Sequence, residues 1–256
     1  MNHFIQQAAA TRYAAARPYI HPHAIAKIRT FLRLAKPVPQ ALDVGCGTGQ
    51  SSVALTAIAT HVTGVEPSEE MNRHAMKHKQ IGYVQAPAEQ LPFTATTFQL
   101  ITVAIAFHWF ERERFLKEAV RVLQPAGWLI IYNGGFLGKV PQKPELEHWY
   151  WHDFMTRYPL PSNYNKQPLA ENEAHAYGLS FRHRDMYQLE LTWSPQELAS
   201  YLASMSLVNA AIERGDEREE EILSWLNDSL TSLFPAPVMT LTFGGYIEYW
   251  QKSRIR

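Results

Sequence analysis

Residues 41–49 read Ala41-Leu42-Asp43-Val44-Gly45-Cys46-Gly47-Thr48-Gly49, a β-rich apolar segment that runs without a break into three alternating glycines. Glycine meets two needs at such a junction: the turn is tight, and a ligand can approach bare backbone. Dinucleotide-binding folds share that much. The spacing separates them. A dinucleotide fingerprint wants glycine at position 50, where helix and strand pack closely, and Gln50 stands there instead. The compact Gly-x-Gly-x-Gly form leaves no cradle for a pyrophosphate, and no Gly-Lys-Ser/Thr follows to build a Walker phosphate loop. Cys46 reads as a small buried filler, and Asp43 either satisfies buried backbone amides of the loop or meets a ligand directly.

Downstream, an Ala-rich helix covers about Ser51 to Ala59, and a second strand, His61 to Val65, ends on Glu66 and Pro67. Ser68 then has the character of an N-cap. The second strand of such a sheet lies beside the first, so Glu66, 17 residues after Gly49, borders the glycine loop. A carboxylate there can accept two hydrogen bonds from a ribose diol. Ile81 to Gln85 is a third strand. Phe98 to Ile105 is a fourth, and its nearly unbroken apolar character suits burial on both faces. Glu111 to Leu123 is a helix with Phe115, Leu116, Ala119 and Val122 on one face, and Trp128 to Tyr132 is a fifth strand.

Upstream, Ile25, Ile28 and Leu32 give a helix over 22–35. Strand and helix alternate five times, which implies an α/β, Rossmann-like, doubly wound and mostly parallel sheet. Such sheets bind ligands at the carboxyl ends of their strands. Phe181 to Thr192 and Val238 to Tyr249 bring the strands to about seven, the last antiparallel and a hairpin partner of the sixth. Helices are expected from Ser194-Pro195 to Met205 and over 216–233. Residues 134–180, rich in aromatics and carrying Pro141, Pro144, Pro159, Pro161 and Pro168, read as a helical cap or lid inserted after the fifth strand of a single domain spanning 1–256.

The composition narrows the function classes. The 256 residues carry 24 Lys plus Arg against 24 Asp plus Glu, a formal net charge of zero, so the basic excess of a nucleic-acid binder is missing. The single cysteine excludes an internal disulfide. The longest apolar run, Leu100 to Phe107, is far below the roughly 20 residues of a membrane helix, and the N-terminus has no compact apolar block. A cytoplasmic protein without membrane association is expected. His148 and His152 have the i, i+4 spacing of a zinc pair, as do His74 and His78; among 11 histidines that spacing arises cheaply, and Trp149 breaks the HExxH pattern. No metal is expected. Glu217, Glu219, Glu220 and Glu221 read as a solvated helix face, and Trp149, Tyr150, Trp151 and Phe154 as the buried side of a cap helix or a wall of a substrate pocket.

Taken in order, these segments resemble class I S-adenosylmethionine-dependent methyltransferases of the type 11-like group. Residues 41–49 resemble their first motif. Val62-Thr63-Gly64-Val65-Glu66-Pro67-Ser68 resembles the second, and Ala86-Pro87-Ala88-Glu89-Gln90-Leu91-Pro92-Phe93 the segment that frames the adenine. Ala106-Phe107-His108-Trp109-Phe110 and Arg121-Val122-Leu123-Gln124-Pro125-Ala126-Gly127 resemble the fourth and fifth motifs. The Phe-His-Trp-Phe element most resembles the trans-aconitate methyltransferase-like branch. The resemblance covers roughly residues 10–133.

It implies S-adenosyl-L-methionine as donor and S-adenosyl-L-homocysteine as product. Glu66, with Pro67 beside it, would hold the ribose. The backbone at Gly45, Gly47 and Gly49 would face the methionine part, Asp43 would position the loop and the ammonium group, and Ala88 and Glu89 would border the adenine. Tyr13 and Arg17, on one face of an N-terminal helix, would fold over the donor, with Arg17 meeting its carboxylate. Pro87 stands where an acidic residue often reads the adenine amine. Ala126 replaces a common glycine, which suggests a turn that avoids positive φ.

The expected reaction is in-line displacement on the sulfonium methyl by a small-molecule acceptor. A carboxylate acceptor needs no general base; a hydroxyl or amine needs one, and His108 is the candidate. His108, Trp109, Tyr13 and Trp149 are the expected acceptor-lining residues. Three rivals are a nicotinamide oxidoreductase, disfavoured by Gln50; a nucleic-acid methyltransferase, disfavoured by neutral charge and by the lack of an Asn/Asp-Pro-Pro-Tyr/Phe motif; and a donor-binding protein without turnover. The acceptor and the oligomeric state are not written in these residues.

Overall fold

The computed structural model describes residues 16–140, 143–161, 164–165 and 167–254. In chain order it holds α1 (His21–Phe31), β1 (Val38–Val44), α2 (Gln50–Leu55), β2 (Ala59–Val65), α3 (Glu69–Arg73), β3 (Ile81–Val84), β4 (Phe98–Ala104), α4 (Arg112–Val122) and β5 (Leu123–Tyr132). Then come β6 (Gly135–Phe136), α5 (Pro144–His148), a π-helical turn (Trp149–Phe154), α6 (Met155–Arg157), α7 (Glu171–Ala176) and β7 (Leu179–Trp193). α8 (Pro195–Ala203), α9 (Ser206–Arg214), α10 (Glu219–Leu233) and β8 (Met239–Lys252) complete it. These elements form two compact units, and two of the boundaries between them fall inside β7 and β8.

One unit comprises residues 19–134, 165–186 and 245–254. Its sheet runs β3-β2-β1-β4-β5, all parallel, with the second half of β8 antiparallel against β5. The α/β class, the parallel order and the antiparallel last strand are those the alternation of segments implies. The register pairs Val44 with both Val65 and Val103, so β1, β2 and β4 end level and their carboxyl ends open on one edge of the sheet. β4 is covered on both faces, as its apolar run requires. α4 buries Phe115, Leu116, Ala119 and Val122. Its last carbonyls are held by Lys252, whose ammonium donates to Val120 O and Leu123 O at 2.7 Å each, a favourable place for a cation. At the start of α1, buried His21 bonds through Nδ1 to the Tyr132 hydroxyl at 2.9 Å.

The other unit comprises residues 16–18, 135–164 and 187–244. Its core packs Phe136, Leu146, Trp149, Tyr150 and Phe154 against Leu198, Leu202, Leu226 and Phe243. α8 begins at Ser194-Pro195 as expected, and the structure adds a capping box in which Ser194 and Glu197 exchange side-chain and backbone bonds. The helix expected over 216–233 is α10, preceded by a separate α9 that ends at Gly215 in the left-handed region. β6, two residues long and paired with β8 through Gly135↔Gly244 and Phe136↔Phe243, lies where no strand is expected; two residues carry no periodicity to read.

One expectation is overturned at Ala126. Its φ is +61, so the substitution of alanine for glycine does not mark a turn that avoids positive φ. The cause is a bulge. The β4–β5 register jumps from Phe98↔Leu123 to Leu100↔Trp128, and the surplus residues of β5 must be absorbed locally. Gln251 Nε2, donating to Ala126 O at 3.2 Å, holds the bulge. An L-residue in this region costs about 1–2 kcal/mol, partly offset by the smaller unfolded-state entropy of alanine. Ala126→Gly is therefore expected to stabilise the protein by roughly 0.5–1 kcal/mol, read as a higher urea midpoint with unchanged slope. A lower midpoint would mean the bulge carries no strain.

Candidate methyl-donor site

The three glycines of the β1–α2 loop all have positive φ, +71, +54 and +80 at Gly45, Gly47 and Gly49, yet they differ in what surrounds them. A Cβ on Gly45 would lie 2.7 Å from Ala106 Cβ and 3.1 Å from the Phe110 ring. A Cβ on Gly49 would collide with the Tyr83 hydroxyl. A Cβ on Gly47 would meet nothing within 4 Å among the described residues. Gly45 and Gly49 are thus required by internal packing, and Gly47 is the one whose bare backbone faces open space. Beside it, Thr48 is buried and its hydroxyl has no hydrogen-bond partner among the described residues.

Glu66, at the end of β2, reaches back to this loop. Its Oε2 accepts from Gly47 N–H and its Oε1 from Ser68 N–H, each at 3.0 Å. Burial pushes its carboxyl above the usual range, the two amides pull it back, and Asp43 pushes it up again. Each carboxylate oxygen retains a second lone pair for a further donor. Ser68 caps α3, accepting from Met71 N–H at 3.2 Å. Pro67 is exposed, and its carbonyl accepts from Gln85 Nε2 at 3.1 Å.

Asp43 is fully buried, and its partners are three side-chain hydroxyls, where one of its two readings has backbone amides. Ser51 and Ser52 donate to Oδ2 at 2.6 and 2.7 Å, and Thr102 donates to Oδ1 at 3.0 Å. One carboxylate thereby ties β1 to the first turn of α2 and to β4, and so fixes the ends of the glycine loop. Burial raises its pKa and the three hydroxyls oppose the rise. Cys46 is buried, its thiol pushed well up by burial and by the neighbouring Asp43 and Glu66, which suits a filler and not a nucleophile.

Directly after β4, Ile105 has φ +55, a strained conformation for a β-branched residue. A 3₁₀ turn over Phe107–Trp109 follows, carrying His108 and Trp109 with ring centroids 5.0 Å apart. His108 O accepts from Asn165 N–H at 3.2 Å. Ala88 is buried, and the Glu89 carboxylate accepts from Glu111 N–H at 2.9 Å at the start of α4. Asp43, the glycines, Glu66, Pro67, Ala88, Glu89, His108 and Trp109 all belong to one unit.

Arg17 and Trp149 belong to the other. Arg17 Nη2 donates to Ser204 O at 3.3 Å, and its guanidinium lies 5.2 Å from the centre of the Tyr201 ring. Trp149 packs on Trp225 at 5.5 Å and edges an open depression of about 680 Å³ with His152, Arg157 and Trp225. Tyr13 lies outside the described residues. His148 and His152 stack at 4.3 Å, and among the described residues no group of three or more His, Cys, Asp or Glu could hold a metal ion. Glu217 is not merely solvated: it takes Arg157 Nε and Nη2 at 3.0 and 2.6 Å and the Tyr158 hydroxyl at 3.2 Å.

Tyr83 is the residue of this site that sequence reasoning missed. Its ring fills the space over Gly49 and Gly64, and its hydroxyl donates to Met76 O at 2.8 Å. The available signal was Gly64, a glycine inside a strand and paired in register with Tyr83; such a glycine marks a close approach.

The chain is similar to known methyltransferases. Residues 42–131 match a family described as a methyltransferase domain. A provisionally named methyltransferase of Dictyostelium discoideum is 37% identical over 97 residues, 38% of this chain and 37% of that protein. The methyltransferase YcgJ of Bacillus subtilis is 26% identical over 196 residues, 73% of this chain and 70% of its own length. The chain thus spans little more than a third of the first of these relatives. A provisionally assigned type II methyltransferase from Anaeromyxobacter dehalogenans shares the fold with a TM-score of 0.68 at 24% identity, covering 90% of this chain and 95% of that one. No helix among the described residues is long and apolar enough to cross a membrane.

Proposed function

We propose, from the premise that the chain belongs to the class I S-adenosylmethionine-dependent methyltransferases, that it methylates a small-molecule acceptor and releases S-adenosyl-L-homocysteine. The observation that carries this reading is Gly47: a left-handed glycine with open space above it, held at 3.0 Å by a buried Glu66 carboxylate. Bare backbone, an adjacent acceptor pair for a ribose diol and the orphaned Thr48 hydroxyl together fit a nucleoside ligand with an amino-acid tail.

The donor brings an electrophilic methyl on a positive sulfur, so the chain has little chemistry to add beyond orientation and exclusion of water. Asp43 keeps the loop in register through its three hydroxyl bonds. Glu66 and Pro67 hold the ribose, and Ala88 and Glu89 border the adenine. An acceptor carboxylate attacks in line without a base. A hydroxyl or amine loses its proton to His108, at the carboxyl end of β4 and therefore beside the first strand. The neutral net charge supports a small acceptor over a nucleic acid. The lone, buried Cys46 fits work in the reducing cytoplasm.

Hydrogen bonds to a charged group contribute roughly 1.5–3 kcal/mol. Glu66→Ala is accordingly expected to weaken S-adenosyl-L-homocysteine binding at least about tenfold by calorimetry, with Glu66→Gln losing less. Unchanged affinity in a folded Glu66→Ala protein would remove the assignment. With an acceptor in hand, His108→Asn should lower turnover and leave donor-product affinity alone. Full turnover would return His108 to a structural part.

A further inference from the structure

The glycine loop is tied down from two directions. At the end of β2, Val65 O accepts from Gly45 N–H at 2.8 Å and from Cys46 N–H at 3.1 Å, and the Glu66 carboxylate takes Gly47 N–H. Those bonds hold the first half of the loop. A bond within it, Gly49 N–H to Cys46 O at 2.9 Å, closes the turn. The second half is held from the connection between α3 and β3. Thr48 O accepts from Met76 N–H at 3.0 Å, and Met76 O in turn accepts from the Tyr83 hydroxyl at 2.8 Å.

Residues 75–80 form neither helix nor strand, and Met76 is 45% exposed, so burial of apolar surface does not fix the position of residue 76. Its two main-chain bonds do. The phenol that makes one of them needs glycine at two positions. A Cβ on Gly64 would lie 2.7 Å from the Tyr83 ring, and one on Gly49 would meet the hydroxyl itself. A phenylalanine would fill the space over both glycines equally well; only the hydroxyl reaches Met76. Burial pushes that phenol up, and Cys46 and Asp43 add to the shift, so it stays a proton donor at neutral pH. At the far end stands Thr48, buried, with a hydroxyl that has no partner among the described residues. Left-handed glycines flank it on both sides, and glycine is the residue whose backbone swings most freely. Pinning the Thr48 carbonyl restricts both.

We propose that Tyr83 is a positioning residue for the methyl donor: its hydroxyl holds Met76 against Thr48 O, and this clasp keeps the glycine loop in the shape that binds the donor. The inference rests on the methyltransferase reading for the identity of the ligand, and on this chain of hydrogen bonds for the role of Tyr83. The phenol acts through Met76 and not on the donor. A loop released from the clasp visits other conformations, and the apparent affinity falls by the fraction of time the competent one is lost.

The test is Tyr83→Phe in the full chain, with S-adenosyl-L-homocysteine titrated by calorimetry far below the urea midpoint, where wild type and variant are both folded. Losing one hydrogen bond of ordinary strength should lower the affinity about fivefold. In the same two proteins, exchange of the Met76 amide followed by NMR should be about fivefold or more faster in Tyr83→Phe, and S-adenosyl-L-homocysteine should slow it in wild type. A phenol that only fills space would shift the urea midpoint and leave both readings alone, so unchanged affinity overturns the proposal. So does weaker binding with the Met76 amide as protected as in wild type, since the hydroxyl would then act on the donor directly. Wild-type protein that binds no S-adenosyl-L-homocysteine is a different failure: it removes the methyltransferase reading, and the positioning role with it, before any variant is made.

Discussion

Gly49→Ala is expected to cost more than about 3 kcal/mol and to leave a protein largely unfolded at 37 °C, while Gly47→Ala, two residues away, folds at a cost of about 1–2 kcal/mol. Both positions have positive φ, so both incur the left-handed penalty of an L-residue. Only at Gly49 does the added methyl run into the Tyr83 hydroxyl. That hydroxyl must then give up Met76 O, stranding a polar group for a further 1–3 kcal/mol or so, or push the aromatic ring off Gly64. Urea unfolding of the two variants measures the difference. Tyr83→Phe in the Gly49→Ala background should recover part of the loss, as neighbouring changes do when they share one cause. Equal costs at the two glycines would mean that backbone conformation alone decides and that Tyr83 yields freely. The folded Gly47→Ala protein should bind S-adenosyl-L-homocysteine poorly, because its methyl occupies the open space.

His21 makes stability fall on acidification over a defined window. Burial pushes its imidazole down from 6.5 to about 4 in the folded protein. The unfolded chain therefore takes up the proton first as the pH drops. Folding stability due to this group is complete above about pH 6.5 and declines down to about pH 4, after which it is flat. A shift of this size is worth about 3 kcal/mol in total. The buried carboxyl groups Asp43 and Glu66 are shifted upward, so acid favours the folded state on their account and works against the decline. His21→Gln, which keeps a partner for the Tyr132 hydroxyl, separates the two. Between pH 7 and 4.5 the wild-type unfolding free energy should drop by roughly 2–3 kcal/mol more than that of His21→Gln. Parallel profiles would show that the imidazole is not held neutral.

Much of this architecture was legible because local pattern and tertiary role coincide. The apolar runs at 41–44 and 98–104 are strands because both of their faces are covered, and Ser68 and Ser194 cap helices because their oxygens have nearby amides to satisfy. Features that depend on residues distant in the chain were not legible. Asp43 finds Thr102 only because β4 is inserted beside β1. Ala126 was misread for a related reason: its φ is dictated by a register jump between β4 and β5, not by its own preference. His21 went unnoticed within a helix read as starting at residue 22, since nothing in its neighbours announces a hydroxyl 111 residues away.

The pairing of β5 with β8 has a kinetic consequence. Ile130 and Tyr249 face each other although about 120 residues of chain separate them, a long loop to close before the contact is rewarded. The parallel strands β1, β2, β4 and β5 can assemble from segments synthesised early, leaving one apolar margin of β5 uncovered until β8 arrives. During that interval the nascent or refolding chain presents an unpaired strand edge, the feature that most readily recruits a second molecule. Refolding yield should therefore fall steeply as protein concentration rises, and a prolyl isomerase would not rescue it, because the delay lies in the search for a distant partner.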